Sequence, residues 1–261
     1  MKFLQEKDQL LQRIREHAHL DGRQQLNLAF ILSLPSMLAQ ASYIIMEYID
    51  ASMVGSLGAH ASAAIGLVST TIWLFGGLTH SASTGFYVQV AHRIGAGEWA
   101  QARHVMRQSF ISCLSFALIL SAVGATISSS LPRWLGGEES LWRDASLYFL
   151  VYSLCLPFSQ LNSLAGGMLR SSGNTHIPSL LNIIMCLLDV VFNFLLIFPS
   201  RQWHGIPLPG AGLGVLGAVL GTAAAYVICS LAMCWFACVR SPELNLFQDR
   251  GRFLPTLDTL R

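Results

Sequence analysis

The sequence predicts an all-α polytopic membrane protein whose fold is a bundle of six transmembrane helices. Composition is the first reason, because 53% of the 261 residues are hydrophobic and only 11% are charged. A soluble domain has about a quarter of its residues charged. The second reason is a set of long apolar stretches, and the third is an uneven distribution of basic residues between the loops that join them. Together these observations indicate that lipid surrounds most of the chain.

Six stretches are long and apolar enough to cross a bilayer, which takes about 20 residues of helix. The second stretch contains no Asp, Glu, Lys or Arg. A helix of a soluble protein is rarely so long and so apolar. We place the spans near residues 26–48, 62–90, 109–131, 146–168, 178–198 and 211–239.

The basic residues predict how these spans are oriented. With six spans both chain ends lie on one side, and only Arg133, Arg143 and Arg201 of the 16 Lys and Arg residues fall on the other side. Cytoplasmic loops carry an excess of Lys and Arg. We therefore expect a multi-pass protein of the plasma (inner) membrane with both termini in the cytoplasm.

Two flanking segments complete the predicted organisation around a transmembrane unit at residues 26–239. Residues 1–25 mix charged groups with apolar side chains that share one side of a helix, which is typical of an amphipathic segment lying on the cytoplasmic surface. Residues 240–261 are polar, with two prolines and charges of both signs. They resemble a cytoplasmic linker.

Composition also excludes two classes of function. The net charge is only +2, and the basic residues are scattered among short loops, whereas phosphate binding needs a concentrated basic face. We expect no nucleic-acid partner. The six cysteines fall inside apolar stretches without metal-binding spacing, so they are interpreted as small membrane-helix residues.

Three acidic residues lie within the apolar region or at its edge: Glu47, Asp50 and Asp189. An ionised side chain in hydrocarbon is strongly disfavoured unless it is neutralised. The sequence places no Lys or Arg at comparable depth. The expected partners of these acids are a proton, a metal cation, a cationic substrate or water in a cavity.

Asp189 lies near the middle of the fifth span, and Asn193 follows one helical turn later. Their carboxylate and amide therefore point from the same helix face. This pair offers oxygen ligands for a hard cation such as Na⁺, or a hydrogen-bonded site for a carboxyl proton. The alternative is an interhelical hydrogen-bonded pair that only holds the bundle together.

Asp50 and Glu47 are three residues apart at the outer end of the first span, and so lie roughly on the same side of the helix. Like charge nearby favours protonation of one of them. Either acid could line a cavity, or it could simply reach interfacial water. For Glu47 the interfacial role is favoured over direct chemistry.

Three further residues stand out in the spans. Pro35 removes a backbone hydrogen bond inside the first span, which predicts a kink or a hinge. His80 in the second span changes charge near neutral pH and is a candidate proton relay. Like Thr222 in the sixth span, it is more often a packing residue than a ligand.

Five segments resemble the amino-terminal lobe of the multidrug and toxic compound extrusion (MATE) family. They occur in family order, with six spans at family spacing. The segments are YIDASMVGSLGAHASAAIGL at 48–67, VQVAHRIGAGEWAQAR at 88–103, GGMLRSSGNTHIP at 166–178, DVVFNFLLIF at 189–198 and LPGAGLGVLGA at 208–218.

This resemblance implies a secondary active antiporter that exports organic, often cationic, drugs or metabolites in exchange for H⁺ or Na⁺. Asp50 matches the family's first-helix acidic residue and Pro35 its bending proline. Asp189 and Asn193 match the fifth-helix polar pair, and Thr222 a nearby sixth-helix hydroxyl. If Na⁺ is the coupling ion, Asp50, Asp189 and Asn193 are the expected ligands. The acid-then-amide order of the fifth-helix pair differs from that of some family members, so both H⁺ and Na⁺ stay candidates for the coupling ion.

The resemblance also implies a partner lobe, because the family has two six-helix lobes and this chain accounts for one of them. We expect a carboxy-terminal lobe, with residues 240–261 as the linker between lobes. The expected partners are the lipid bilayer and a small organic substrate, with no cofactor beyond the coupling ion and no enzymatic activity. Two alternatives are a lipid-linked oligosaccharide flippase of related architecture and a membrane fragment that does not transport.

Overall fold

A computed structural model describes residues 21–203, 206–241 and 244. The prediction for the amphipathic segment therefore lies outside the described residues, apart from positions 21–25. The prediction for the linker lies outside them as well, apart from three positions.

The described chain is an all-helical bundle with one short β-hairpin. Its elements are α1 (Gly22–Gly55), α2 (Ala59–Gly95), α3 (Trp99–Ile127), the short α4 (Leu131–Trp134), α5 (Trp142–Ser171), α6 (His176–Ile197), β1 (Pro199–Trp203), β2 (Ile206–Ala211) and α7 (Val215–Trp235). The predicted fold class is confirmed.

Local sequence signals explain where the first helices begin and end. Asp21 caps α1. Its carboxylate accepts a hydrogen bond from the backbone N–H of Gly22 at 2.9 Å, and its own backbone N–H donates to the side-chain oxygen of Gln24 at 3.3 Å. The turns after α1 and α2 contain Gly58 at φ 109° and Gly97 at φ 77°, a backbone region that glycine adopts readily. These tight turns make α1, α2 and α3 successive antiparallel helices.

Five helices are long and apolar enough to cross a membrane, and they contain five of the six predicted spans: α1, α2, α3, α6 and α7 with the turn that follows it. The fourth predicted span lies in α5, whose 30 residues extend about 45 Å at 1.5 Å per residue. α5 is not among the five helices that are most apolar over their length. This helix is long enough to span, but it is more polar than the others.

The position of α5 explains its polarity. It packs against α2, α3 and α7 at the centre of the bundle, so much of its surface meets protein instead of lipid. Gln160 is fully buried and donates a hydrogen bond to Ser83 of α2 at 2.8 Å. The Tyr152 hydroxyl donates to the Ile72 carbonyl of the same helix at 3.0 Å. Such interhelical hydrogen bonds stabilise helix pairs in lipid.

The remaining helices form a chain of contacts that leads away from α5. α7 packs against α5 and α6, and α6 packs against α1. The contact between α1 and α2 is much smaller. The first helix is therefore held to the lobe mainly through α6, the helix that carries Asp189 and Asn193.

The hairpin between α6 and α7 was not predicted from the sequence. Its strands pair antiparallel, with Arg201 opposite Leu208. Gly210 lies against the backbone of Phe198 and Pro199, where a side chain would collide with main-chain atoms. Close backbone approach therefore explains this glycine.

We predict that Gly124→Ala lowers the stability of the lobe. The added methyl group would meet the Cβ and hydroxyl of Ser153 on α5 and the ring of Phe75 on α2, and overpacking of this kind typically costs about 1–3 kcal/mol. Thermal unfolding in detergent measures the effect. Gly77→Ala is the matched control, because no atom lies within 4 Å of its added methyl group. Equal unfolding temperatures for the two variants would contradict the packing described here.

Candidate functional site

Asp50 and the fifth-span pair come together at the interface of α1 and α6. The side-chain amide of Asn193 donates one hydrogen bond to Asp50 Oδ1 at 2.9 Å. It donates a second to Asp189 Oδ2 at 3.2 Å. One NH₂ group thus joins two acids that are 139 positions apart in the sequence, and it holds α1 against α6.

This cluster is shielded from solvent. Asn193 is 0% exposed and Asp189 is 1% exposed, while Asp50 is half-buried. The two carboxyl groups are within hydrogen-bonding reach of each other. Because adjacent carboxylates repel each other in a medium of low dielectric constant, a proton or a cation between them is favourable.

Helices α5 and α7 complete the surroundings of the acid pair. Thr222 of α7 donates to the Ala218 carbonyl at 3.1 Å, and its hydroxyl lies beside the Asp189 carboxyl. Tyr148 of α5 is near both acids. Tyr148 could not be identified from the sequence, since a tyrosine in an apolar span gives no signal of which helix it faces.

A glycine makes the close approach of α7 possible. A methyl group on Gly221 would collide with the side-chain oxygen and the backbone nitrogen of Asn193. The structure shows that Gly221 specifically leaves room for the Asn193 amide.

Two buried oxygen atoms of the cluster are available to a ligand. Among the described residues, Asp189 Oδ1 and Asn193 Oδ1 have no hydrogen-bond partner, and the recorded interactions of the two acids include no Lys or Arg. Carboxylate and amide oxygens suit a hard cation or a proton. Within the same part of the chain, no group of three His, Cys, Asp or Glu side chains could hold a metal ion. The donor set therefore fits H⁺ or Na⁺ better than a transition metal.

Glu47 is not part of this cluster. It is exposed on α1, and its carboxylate accepts a hydrogen bond from the hydroxyl of Tyr43. The same hydroxyl also hydrogen-bonds Tyr226 of α7. Glu47 therefore takes part in a separate contact that joins α1 to α7 through Tyr43.

His80 and Pro35 lie at other places in the lobe. His80 is exposed on α2, and its Nδ1 is 3.3 Å from the Ser163 hydroxyl of α5. Pro35 is enclosed in α1, which continues without interruption from Gly22 to Gly55. Because proline has no backbone N–H, the carbonyl one turn earlier lacks its usual helical hydrogen bond. α1 is therefore weaker at this point.

Five of the described helices are long and apolar enough to cross a membrane, so the class of protein is a polytopic membrane protein. The particular family follows from the sequence, because the model of the MatE family matches residues 35–195. The chain belongs to the MATE family, whose members are transporters and not enzymes.

Curated relatives match over most of this chain. An FAD transporter of Shewanella oneidensis is 24% identical over 197 residues, which are 75% of this chain and 42% of the relative. A probable multidrug resistance protein NorM of Thermotoga maritima is 24% identical over 73% of this chain and 40% of the relative. The multidrug resistance protein MdtK of Yersinia pestis is 22% identical over 88% of this chain and 49% of the relative.

Solved structures show the same fold. A MATE transporter in its straight conformation superimposes with a TM-score of 0.78 at 23% identity, covering 88% of this chain and 48% of that one. A MOP superfamily transporter from Pyrococcus furiosus gives 0.74 at 24% identity, over 88% and 48%. The chain spans about half the length of the proteins that it matches, so the prediction that it corresponds to one lobe is confirmed.

We predict that Gly221→Ala disturbs the acid cluster. The methyl group would displace Asn193, which should weaken the contact between α1 and α6 and lower stability by about 1–3 kcal/mol. Thermal unfolding and crosslinking between cysteines placed on α1 and α6 would report the two effects. Gly85→Ala is the control, because no atom lies within 4 Å of its added methyl group. If Gly221→Ala behaved like this control, Asn193 would not be held as described.

Proposed function

We propose that the chain is the amino-terminal lobe of a secondary antiporter that exports organic, often cationic, molecules in exchange for H⁺ or Na⁺. The observation that carries this proposal is the buried pair Asp50 and Asp189, joined by Asn193. The multidrug resistance names of two relatives agree with it. The FAD transporter among the relatives indicates that substrate chemistry varies within such proteins.

The acid pair could couple ion binding to movement through its place in the packing. Asp50 is on α1, whereas Asp189 and Asn193 are on α6. A proton or Na⁺ on the pair would change which hydrogen bonds hold these two helices together. A ligand shifts such an equilibrium only by its different affinity for the two arrangements. In this proposal the ion binds the arrangement in which both carboxyl groups face Asn193.

Pro35 and Thr222 have supporting roles in the proposal. Pro35 is the point about which α1 bends when the acid pair changes state, and Thr222 contributes a hydroxyl beside Asp189. Alternating access in two-lobe transporters requires a second body on the far side of the substrate cavity. A carboxy-terminal lobe would provide it, with the termini of the present lobe in the cytoplasm of the cell.

We predict that Asp50→Asn and Asp189→Asn, made in the complete two-lobe protein, each reduce ion-driven efflux by about tenfold or more, because coupling free energies of 1–3 kcal/mol correspond to such factors. Fluorescent substrate flux in vesicles under an imposed H⁺ or Na⁺ gradient measures the change. Asp144→Asn is the matched control. The Asp144 side chain is 40% exposed, its Oδ2 lies 3.8 Å from His60 Nδ1, and it is not among the groups that interact with Asp50 or Asp189. Unchanged flux in both acid-pair variants would disprove the coupling role.

We predict that Pro35→Ala slows efflux several-fold while leaving ion binding intact. Alanine restores the missing backbone donor and straightens α1, so the bending step is impaired and the acid pair is not. Flux and ²²Na⁺ or proton binding would be compared in the same preparation. Loss of ion binding together with flux would show that Pro35 supports the fold and not the bending step.

A further inference from the structure

A cleft of about 640 Å³ lies between the carboxyl ends of α2 and α5. Because α2 runs antiparallel to α1, this cleft is at the end of the lobe opposite to Asp50. Its lining consists of Tyr87, Val88, Ala91, His92, Gly95, Gly167, Arg170 and Ser171. None of these residues belongs to the acid cluster.

Arg170 is exposed at the end of α5, and its side chain folds back along the helix toward Gly166. Its two terminal nitrogens lie 3.6 and 3.7 Å from the point where a side chain on Gly166 would begin, and a methyl group of Met233 is equally near that point. An arginine at the end of a spanning helix commonly extends outward to water. Here the absence of a side chain at Gly166 leaves room for the guanidinium along the helix, and the absence of one at Gly167 leaves room for the Tyr87 ring that lines the cleft.

The guanidinium of Arg170 has no recorded hydrogen bond or ion pair with any residue that the structure describes. Arg93, near the same end of the lobe, differs from Arg170. Its guanidinium donates hydrogen bonds to Glu98 at 2.8 Å and to Gln101 at 2.6 Å. A cation beside hydrocarbon is costly without an anion. Arg170 thus offers a charged fork to a group from outside the described chain.

The rest of the cleft favours an amphiphile over a free anion. Val88, Ala91 and Gly95 give it an apolar side along α2. The Ser171 hydroxyl is already occupied, since it donates to the backbone carbonyls of Tyr87 and Gly167 at 2.9 and 3.0 Å. A small hydrated anion would gain nothing from the apolar side, whereas an acyl chain would.

We propose that this cleft binds an anionic phospholipid, with the phosphate on Arg170 and an acyl chain along Val88 and Ala91. Arginine binds phosphate through two parallel charge-assisted hydrogen bonds. The predicted orientation puts the cleft in the cytoplasmic leaflet, where anionic lipids attract basic groups. The site is independent of the antiport proposal, and its test does not require transport.

Native mass spectrometry of the purified full chain would test this site, by titrating phosphatidylglycerol and phosphatidylcholine onto the wild type, Arg170→Gln, Arg170→Lys and Arg133→Gln. Arg133 is an exposed residue at the opposite end of the lobe. We expect Arg170→Gln to bind phosphatidylglycerol roughly tenfold more weakly, the factor that corresponds to losing one charge-assisted contact. Arg170→Lys should be intermediate. Arg133→Gln should match the wild type.

A steric variant and a soluble competitor separate the remaining explanations. Ala91→Leu fills the apolar side without changing charge, and should also weaken phosphatidylglycerol binding. Full retention of the lipid by Arg170→Gln, or equal losses in Arg133→Gln, would overturn the proposal. Displacement of the lipid by glycerol phosphate at equal affinity would show a free-anion site instead. If lipid binds the single lobe but not the two-lobe protein, the second lobe is the occupant and the proposal fails.

Discussion

The two hydrogen bonds from the Asn193 amide hold the first helix in place. α1 packs chiefly along α6. Within that interface the Asn193 amide donates one hydrogen bond to Asp50 on α1 and another to Asp189 on α6. Burial makes these bonds strong, because water does not compete for the same atoms. It also makes them sensitive to charge, since the two carboxyl groups repel each other unless something positive lies between them. Packing and electrostatics are therefore decided by the same few atoms.

The sequence was sufficient to predict the fold class, the approximate spans and the residues of the acid cluster. Carboxylates in apolar stretches are conspicuous because burying them is costly, so Asp50 and Asp189 could be identified without coordinates. The sequence could not predict that one amide contacts both of them, since the register of α1 against α6 depends on packing. Glu47 shows this limit. Its spacing placed it beside Asp50, yet its contact is with Tyr43, which lies one turn earlier on the same helix.

The central helix shows a second limit of reading the sequence by hydropathy. Hydropathy measures how well a segment suits lipid, whereas α5 is enclosed by α2, α3 and α7 and interacts with them through buried polar groups such as Gln160. The β-hairpin after α6 was missed for a different reason, because its strands are only five and six residues long and their pairing depends on the close approach of Gly210 to the main chain before it. Both features depend on contacts between residues, which composition and hydropathy do not report.

The one-sided attachment of α1 affects how this lobe tolerates substitution. Its surface away from α6 carries large exposed side chains, among them Phe30, Met37, Ile45 and Tyr48, and few internal contacts of the lobe depend on their shape. Exchanges of one apolar residue for another there should leave the unfolding temperature almost unchanged. The opposite face of α1, around Asp50, is constrained instead by its packing against α6.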